Sequence, residues 1–161
     1  MKSALVVLVL AAALVAGCGG SGGTATPSEK PGAFITRILR EEINGQWGKQ
    51  WNELHPGHKQ LISRAAYVAC SRGMATDIGN GNEVFRVLDV RDEPIDVEGV
   101  PQKTSKLVTI SFHRRGNANT LTYRLHAVND EGRWVWILGA RFISEVEHGR
   151  CLDGSPLPSG V

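Results

Sequence analysis

The hydrophobic period of this chain changes near Glu83, and that change limits the folds open to it. Upstream, apolar residues recur at the spacing of helices, about 3.6 residues; downstream they alternate with polar ones, as in half-buried strands. Phe34, Ile35, Ile38, Leu39 and Ile43 form one stripe, which opens after Pro31 and stops at Asn44-Gly45, a pair suited to a helix C-cap. Trp47, Trp51 and Leu54 continue the period through a short helix ending before Pro56. A third helix is predicted from Pro56, a natural first-turn residue, to Arg72-Gly73, with Ile62, Ala65, Ala66, Ala69 and Cys70 on its buried face.

Beyond Glu83 the alternation predicts strands over 84–90, 107–114, 121–128 and 133–146, with a short one at 95–97 after Pro94. Gly116-Asn117 and Asn129-Asp130-Glu131-Gly132 supply turn chemistry for two hairpins. Val108, Ile110 and Phe112 share a face, as do Leu121, Tyr123 and Leu125, and also Trp134, Trp136, Leu138 and Phe142. A one-residue slip turns a strand over, so the register that keeps these sets together is strongly favoured. The opposite face carries Thr109, Ser111, His113, Thr122, Arg124 and His126 and reads as solvated. The last strand has Val135, Ile137 and Ile143 on its second side, which asks for a bulge near Gly139 or a second packing contact. The class is α+β, with N-terminal helices packed on a curved antiparallel sheet of four to five strands.

The N-terminus carries an address. Lys2 precedes an apolar run from Ala4 to Val15, too short to span a bilayer as a mature helix, and small residues follow it. This is the pattern of a signal peptide over residues 1–17. Leu14-Val15-Ala16-Gly17-Cys18 resembles the lipobox of bacterial lipoproteins. The resemblance implies diacylation of the Cys18 thiol, cleavage before it and acylation of the new amino group. Each buried methylene contributes about 0.8 kcal/mol, so two or three chains on one residue hold the protein essentially permanently. Residues 18–32, rich in Gly, Ser, Thr and Pro, then form a flexible tether; 33–152 hold the α+β domain, and 153–161 a loose tail. The expected location is the cell membrane, lipid-anchored on its extracytoplasmic face.

Of three cysteines, the lipobox accounts for one. Cys70 and Cys151 remain, an even pair in an exported protein, and are predicted to bond to each other. A formal charge of +2 and the lack of any basic run give no reason to expect nucleic acid as a partner.

Helices followed by a curved antiparallel sheet look like the cone-shaped fold shared by nuclear transport factor 2, ketosteroid isomerase and polyketide-cyclase-like proteins. More narrowly, Trp51-Asn52-Glu53-Leu54-His55-Pro56, Cys70, Trp134-Val135-Trp136 and Cys151 are similar to the corresponding elements of small actinobacterial lipoproteins. The resemblance runs from about residue 34 to 152. It implies a cone whose open end lies between the helices and the aromatic face of the sheet. Trp47, Trp51, Tyr67, Tyr123, Trp134 and Trp136 are the residues expected to line that pocket, and they read equally well as core. The isomerases of this fold use a carboxylate and a tyrosine facing into the cone, roles for which Asp89, Tyr67 and Tyr123 are the candidates here.

Other groupings read as structural. His55 and His58, three apart at a helix start, lack further metal ligands nearby in sequence and fit an N-capping histidine beside a surface one. Asp77, Asn80, Asn82 and Glu83 crowd oxygen ligands together, but without the alternation of an EF-hand loop and where a loop is expected. Ser111, His113 and His126 have no acid placed to orient a histidine. Neither a metal nor a cofactor is expected. The chain is therefore expected to be a non-catalytic binding or interaction protein. Its partners would be the membrane through the lipid, a small apolar ligand or an envelope protein, and a second copy of itself in a homodimer. The alternatives are an isomerase- or cyclase-like enzyme and a structural envelope module.

Overall fold

The computed structural model, which describes residues 27–74, 82–115 and 119–158, turns the two periods into two layers. The helices come first: α1 (Pro31–Ile43), α2 (Trp47–Asn52), α3 (Pro56–Leu61) and α4 (Arg64–Met74). The strands β1 (Glu83–Pro94), β2 (Thr104–Arg114), β3 (Leu121–Asp130) and β4 (Arg133–Trp136) follow, and α5 (Ala140–Glu147) comes last. Among the described residues, no helix is long and apolar enough to cross a membrane.

The stripe of α1 does what its spacing predicts. Phe34, Ile35, Ile38 and Leu39 are buried, and the helix lies across all four strands. Each such side chain taken out of water contributes about 1.5 to 3 kcal/mol. Helix α2 packs between α1 and α4. The strands make one antiparallel meander in the order β1-β2-β3-β4. Val108 stands opposite Leu125, Ile110 opposite Tyr123, Phe112 opposite Leu121, and Ala127 opposite Trp136, so the expected apolar sets share one face. Glu131 and Gly132, both with positive φ, close the β3–β4 hairpin in the two-residue turn that matches strand twist. The result is an α+β protein with helices packed on a four-stranded antiparallel sheet.

Three elements differ from the sequence reading. The third helix is two. Ile62 is extended, at φ −128° and ψ 133°, and Ser63 Oγ accepts the Ala66 N–H at 3.1 Å to start α4 anew. A short hydroxyl side chain offers the backbone this alternative to a continuous helix. The break changes the phase, so Ile62, Ala66, Tyr67 and Cys70 are buried while Ala65 is exposed.

The last strand is the second difference. It ends at Trp136, and residues 140–147 are helix α5, with Gly139 as its N-cap rather than a bulge. Phe142, Ile143 and Val146 fit helical spacing as well as alternation, and Phe142 reaches the main core from the helix. Third, 95–97 makes no strand; Val97 forms a single bridge with Val100. That loop nonetheless provides the second contact for β4, where Ile95, Val100, Val128, Val135 and Ile137 form a small core on the outer face of the sheet.

A short segment before α3 joins the sheet, which alternation alone did not suggest. The His55 N–H donates to the Trp136 carbonyl at 2.9 Å, and the Trp136 N–H donates to the Glu53 carbonyl at 3.1 Å. Cys70 of α4 and Cys151, beyond α5, are joined by a disulfide.

Candidate binding site

Strand β4 pairs with β3 only from Ala127 to Asp130. From Leu121 to His126, β3 has β2 on one side and no strand of the described structure on the other. The chain after Trp136 turns away into α5, and between it, the open edge of β3 and the helices lies a cavity of about 640 Å³. Leu39, Tyr123, Leu125, Trp136, Leu138 and Phe142 supply its apolar walls. Arg124 and Arg141, both exposed, and the half-buried His126 stand at its mouth.

The floor is polar and internally hydrogen-bonded. Gln50, almost wholly buried, donates through Nε2 to the Ile38 carbonyl at 3.3 Å and accepts the Tyr67 hydroxyl proton on Oε1. Ser71 hydrogen-bonds the Tyr67 oxygen, and Gln50 also bonds the carboxyl of Glu42. Burial raises the Glu42 carboxyl above the usual carboxylate range, with the Gln50 bond working against it. Burial likewise raises Tyr67 and Tyr123, and the nearby Glu42 carboxylate pushes both further the same way. Tyr67 is committed inside this chain of bonds. The Tyr123 hydroxyl has no hydrogen-bond partner among the described residues and lines the cavity.

The six aromatics expected at the pocket divide evenly. Tyr67, Tyr123 and Trp136 line it. Trp51 does not; it is core, with its ring centroid 5.6 Å from that of Tyr67. Trp134 is held at the other end of the sheet, its Nε1 donating to the Glu29 carbonyl at 2.6 Å. Trp47 sits under the Arg72 guanidinium on the side of α2, away from the cavity. Side-chain spacing showed that these rings face inward but not which of them border empty space.

The acid–base candidates are also redistributed. Asp89 stands opposite Thr109 on the solvated face and pairs with Arg91 at 3.3 Å, so it is not the pocket carboxylate. A bulge at Leu88, where the β1–β2 register shifts, puts it there. Glu42 occupies that role in space. It escaped the sequence reading, although it follows Ile38 and Leu39 at i+4 and i+3 and so lies on the apolar stripe of α1.

Ser111 bonds the Arg86 carbonyl at 3.4 Å and stands opposite Thr122, apart from His126. His126 Nδ1 instead lies 2.7 Å from Oγ of Ser105, which is buried and out of reach of a substrate. His55 caps α3 as expected, its Nδ1 accepting the Gly57 N–H at 3.0 Å. His58 is not at the surface but wholly buried. Cys18, Asp77, Asn80 and the Gly116-Asn117 turn lie outside the described residues, and Glu83 opens β1 opposite Arg114. Among the described residues, no group of three His, Cys, Asp or Glu side chains is arranged to hold a metal.

Comparison with known proteins finds no match. No family model, no curated protein and no solved structure resembles the chain closely enough to count. The chemistry of the cavity therefore has to be read from its own groups. The Glu42 carboxyl and the Tyr123 hydroxyl are the polar groups a ligand can hydrogen-bond, while the walls take apolar surface. An unpaired charge brought to this floor would lose its hydration without compensation.

Proposed function

We propose that this is a lipid-anchored extracytoplasmic binding protein whose cavity holds a small, mainly apolar molecule bearing one uncharged polar group. The observation that carries the reading is the open cavity with apolar walls and a floor of Glu42 and Tyr123. A cavity of this size suits a small organic ligand, and a few convergent polar groups orient it. The anchor rests on the lipobox-like Leu14 to Cys18 segment. Helices covering one face of a meander, with a bulge in β1, support assigning the domain to the nuclear transport factor 2-like cones.

Native mass spectrometry of the unreduced protein, purified gently from its own host, tests the binding. The expected result is a small-molecule adduct that leaves on denaturation and is depleted in the Glu42→Ala and Tyr123→Phe variants. A bare chain from several gentle preparations would sink the reading.

One observation favours a second reading, an isomerase- or cyclase-like enzyme. Glu42, with its pKa raised by burial, faces the same space as Tyr123, which is the pairing that proton transfer needs. In that case Glu42→Gln would retain the adduct but leave it chemically different from the species released by the wild type.

A further inference from the structure

Among the described residues, four large apolar side chains are exposed, and three of them lie together on β1: Val87, Leu88 and Val90. Leu88 is the residue of the bulge, left without a partner in the register with β2. Val87 and Val90 border a second, shallow apolar hollow with Lys30, Pro31, Gly32 and Ala33, the residues by which the chain enters α1. The entry is held in place. The Glu29 carbonyl accepts the Trp134 indole N–H, and the Glu29 carboxylate pairs with Arg37 at 3.1 Å.

The hollow thus sits where the chain arrives from Cys18. Pro27, the first described residue, lies nine positions beyond Cys18, and a Gly- and Ser-rich sequence of that length would span about 5 to 6 Å times the square root of the number, or roughly 17 Å. A surface within that reach meets the bilayer at high effective concentration, so a contact too weak to hold a free protein suffices to orient a tethered one. Lys30 and Arg86 are exposed beside the patch, while Arg91 is paired with Asp89 and Glu93. Basic groups rimming apolar ones suit a surface with anionic headgroups.

We infer that Val87, Leu88 and Val90 form a membrane-docking surface that lays the edge of β1 on the bilayer carrying the anchor. This rests on the lipid-anchor half of the proposed function. Its consequence concerns the cavity. The mouth opens at the far edge of the sheet, beyond β2 and β3, so a domain resting on β1 takes its ligand from the aqueous side.

Leu88 and Leu121 allow a matched test, since each is 54% exposed and they lie on opposite edges of the sheet. The photoreactive residue p-benzoylphenylalanine replaces one or the other in the full chain, which is exported by a bacterial host and reconstituted in vesicles of phosphatidylethanolamine and phosphatidylglycerol. Irradiation is expected to give about tenfold more lipid adduct from position 88 than from 121, the excess reflecting tethered contact. Equal yields, or no lipid adduct at 88, overturn the inference. So does a protein adduct replacing the lipid adduct at 88 in native membranes.

The intact mass of the same sample reads acylation at Cys18 separately. If that thiol is unmodified, the anchor reading fails. The chain is then coupled through Cys18 to a maleimide lipid and the comparison repeated, so the surface is judged in either case.

Discussion

His58 shows how one buried side chain ties distant segments and sets a pH limit. Its Nδ1 accepts the Leu138 N–H at 2.9 Å, and its Nε2 donates to the Glu98 carbonyl at 3.1 Å, which requires the neutral ring. Burial, with a smaller contribution from His55, pushes its pKa down from 6.5 to about 4. Protons then bind the unfolded chain more readily than the folded one. The stability from His58 is complete above pH 6.5 and is lost as pH falls towards about 4. Denaturant midpoints should be level above neutrality and fall between pH 6.5 and 5, before most carboxylates titrate. His126 is shifted down by burial as well, and a His126→Gln variant separates the two. A midpoint unchanged across that window would show that His58 protonates without cost. Of these residues, the cap at His55 was legible from spacing, as the inward position of Glu42 on the stripe of α1 could have been but was not. The burial of His58 was not, because its partners lie 40 and 80 residues away in sequence.

At the scale of elements, the first turn of α3 depends on backbone approach. A Cβ built on Gly57 would lie 1.6 Å from the carbonyl oxygen of Gly99, itself at φ +72°. Neither atom belongs to a flexible side chain, so α3 would have to move. Gly57→Ala is expected to cost about 3 kcal/mol by urea denaturation, in the range of overpacked cores. Gly139→Ala, with nothing within 4 Å of the added carbon, should stay within about 1 kcal/mol of wild type. Equal midpoints for the two variants would contradict the close contact. Elements were also where the sequence was most ambiguous. Over 133–146, alternation and helical spacing both fit the apolar residues, and short apolar runs do not separate the two. Packing of Phe142 and Ile143 into the main core decided for a helix. At Ile62 a local cap on Ser63 outweighed an unbroken apolar stripe.

For the whole molecule, the Cys70–Cys151 bond is the covalent constraint that ties α4 to the segment beyond α5. It closes a sequence separation of 81, which restricts the unfolded chain by about 4.5 kcal/mol on the chain-entropy model. It also ties two lining segments to each other, because Ser71 and Leu152, the neighbours of the two cysteines, both border the cavity. A Cys70→Ala/Cys151→Ala double variant is expected to lose about 2 to 5 kcal/mol in denaturant titrations. Mild reduction should weaken adduct retention in native mass spectra before the domain unfolds. Retention that survives reduction unchanged would show that the cavity does not depend on the bond.

Local pattern in the chain settled the α+β order, the apolar faces of β2 and β3, their pairing and the stripe of α1. These come from local periodicity, which records the side of an element that avoids water. The cavity was decided only by tertiary structure. It exists because β4 stops at Trp136 while β3 continues, and because Glu42, Gln50, Tyr67 and Tyr123 converge from three helices and a strand. Periodicity carries no distance between elements. Hydrogen bonds among buried polar groups, and the space left beside them, depend on that distance alone.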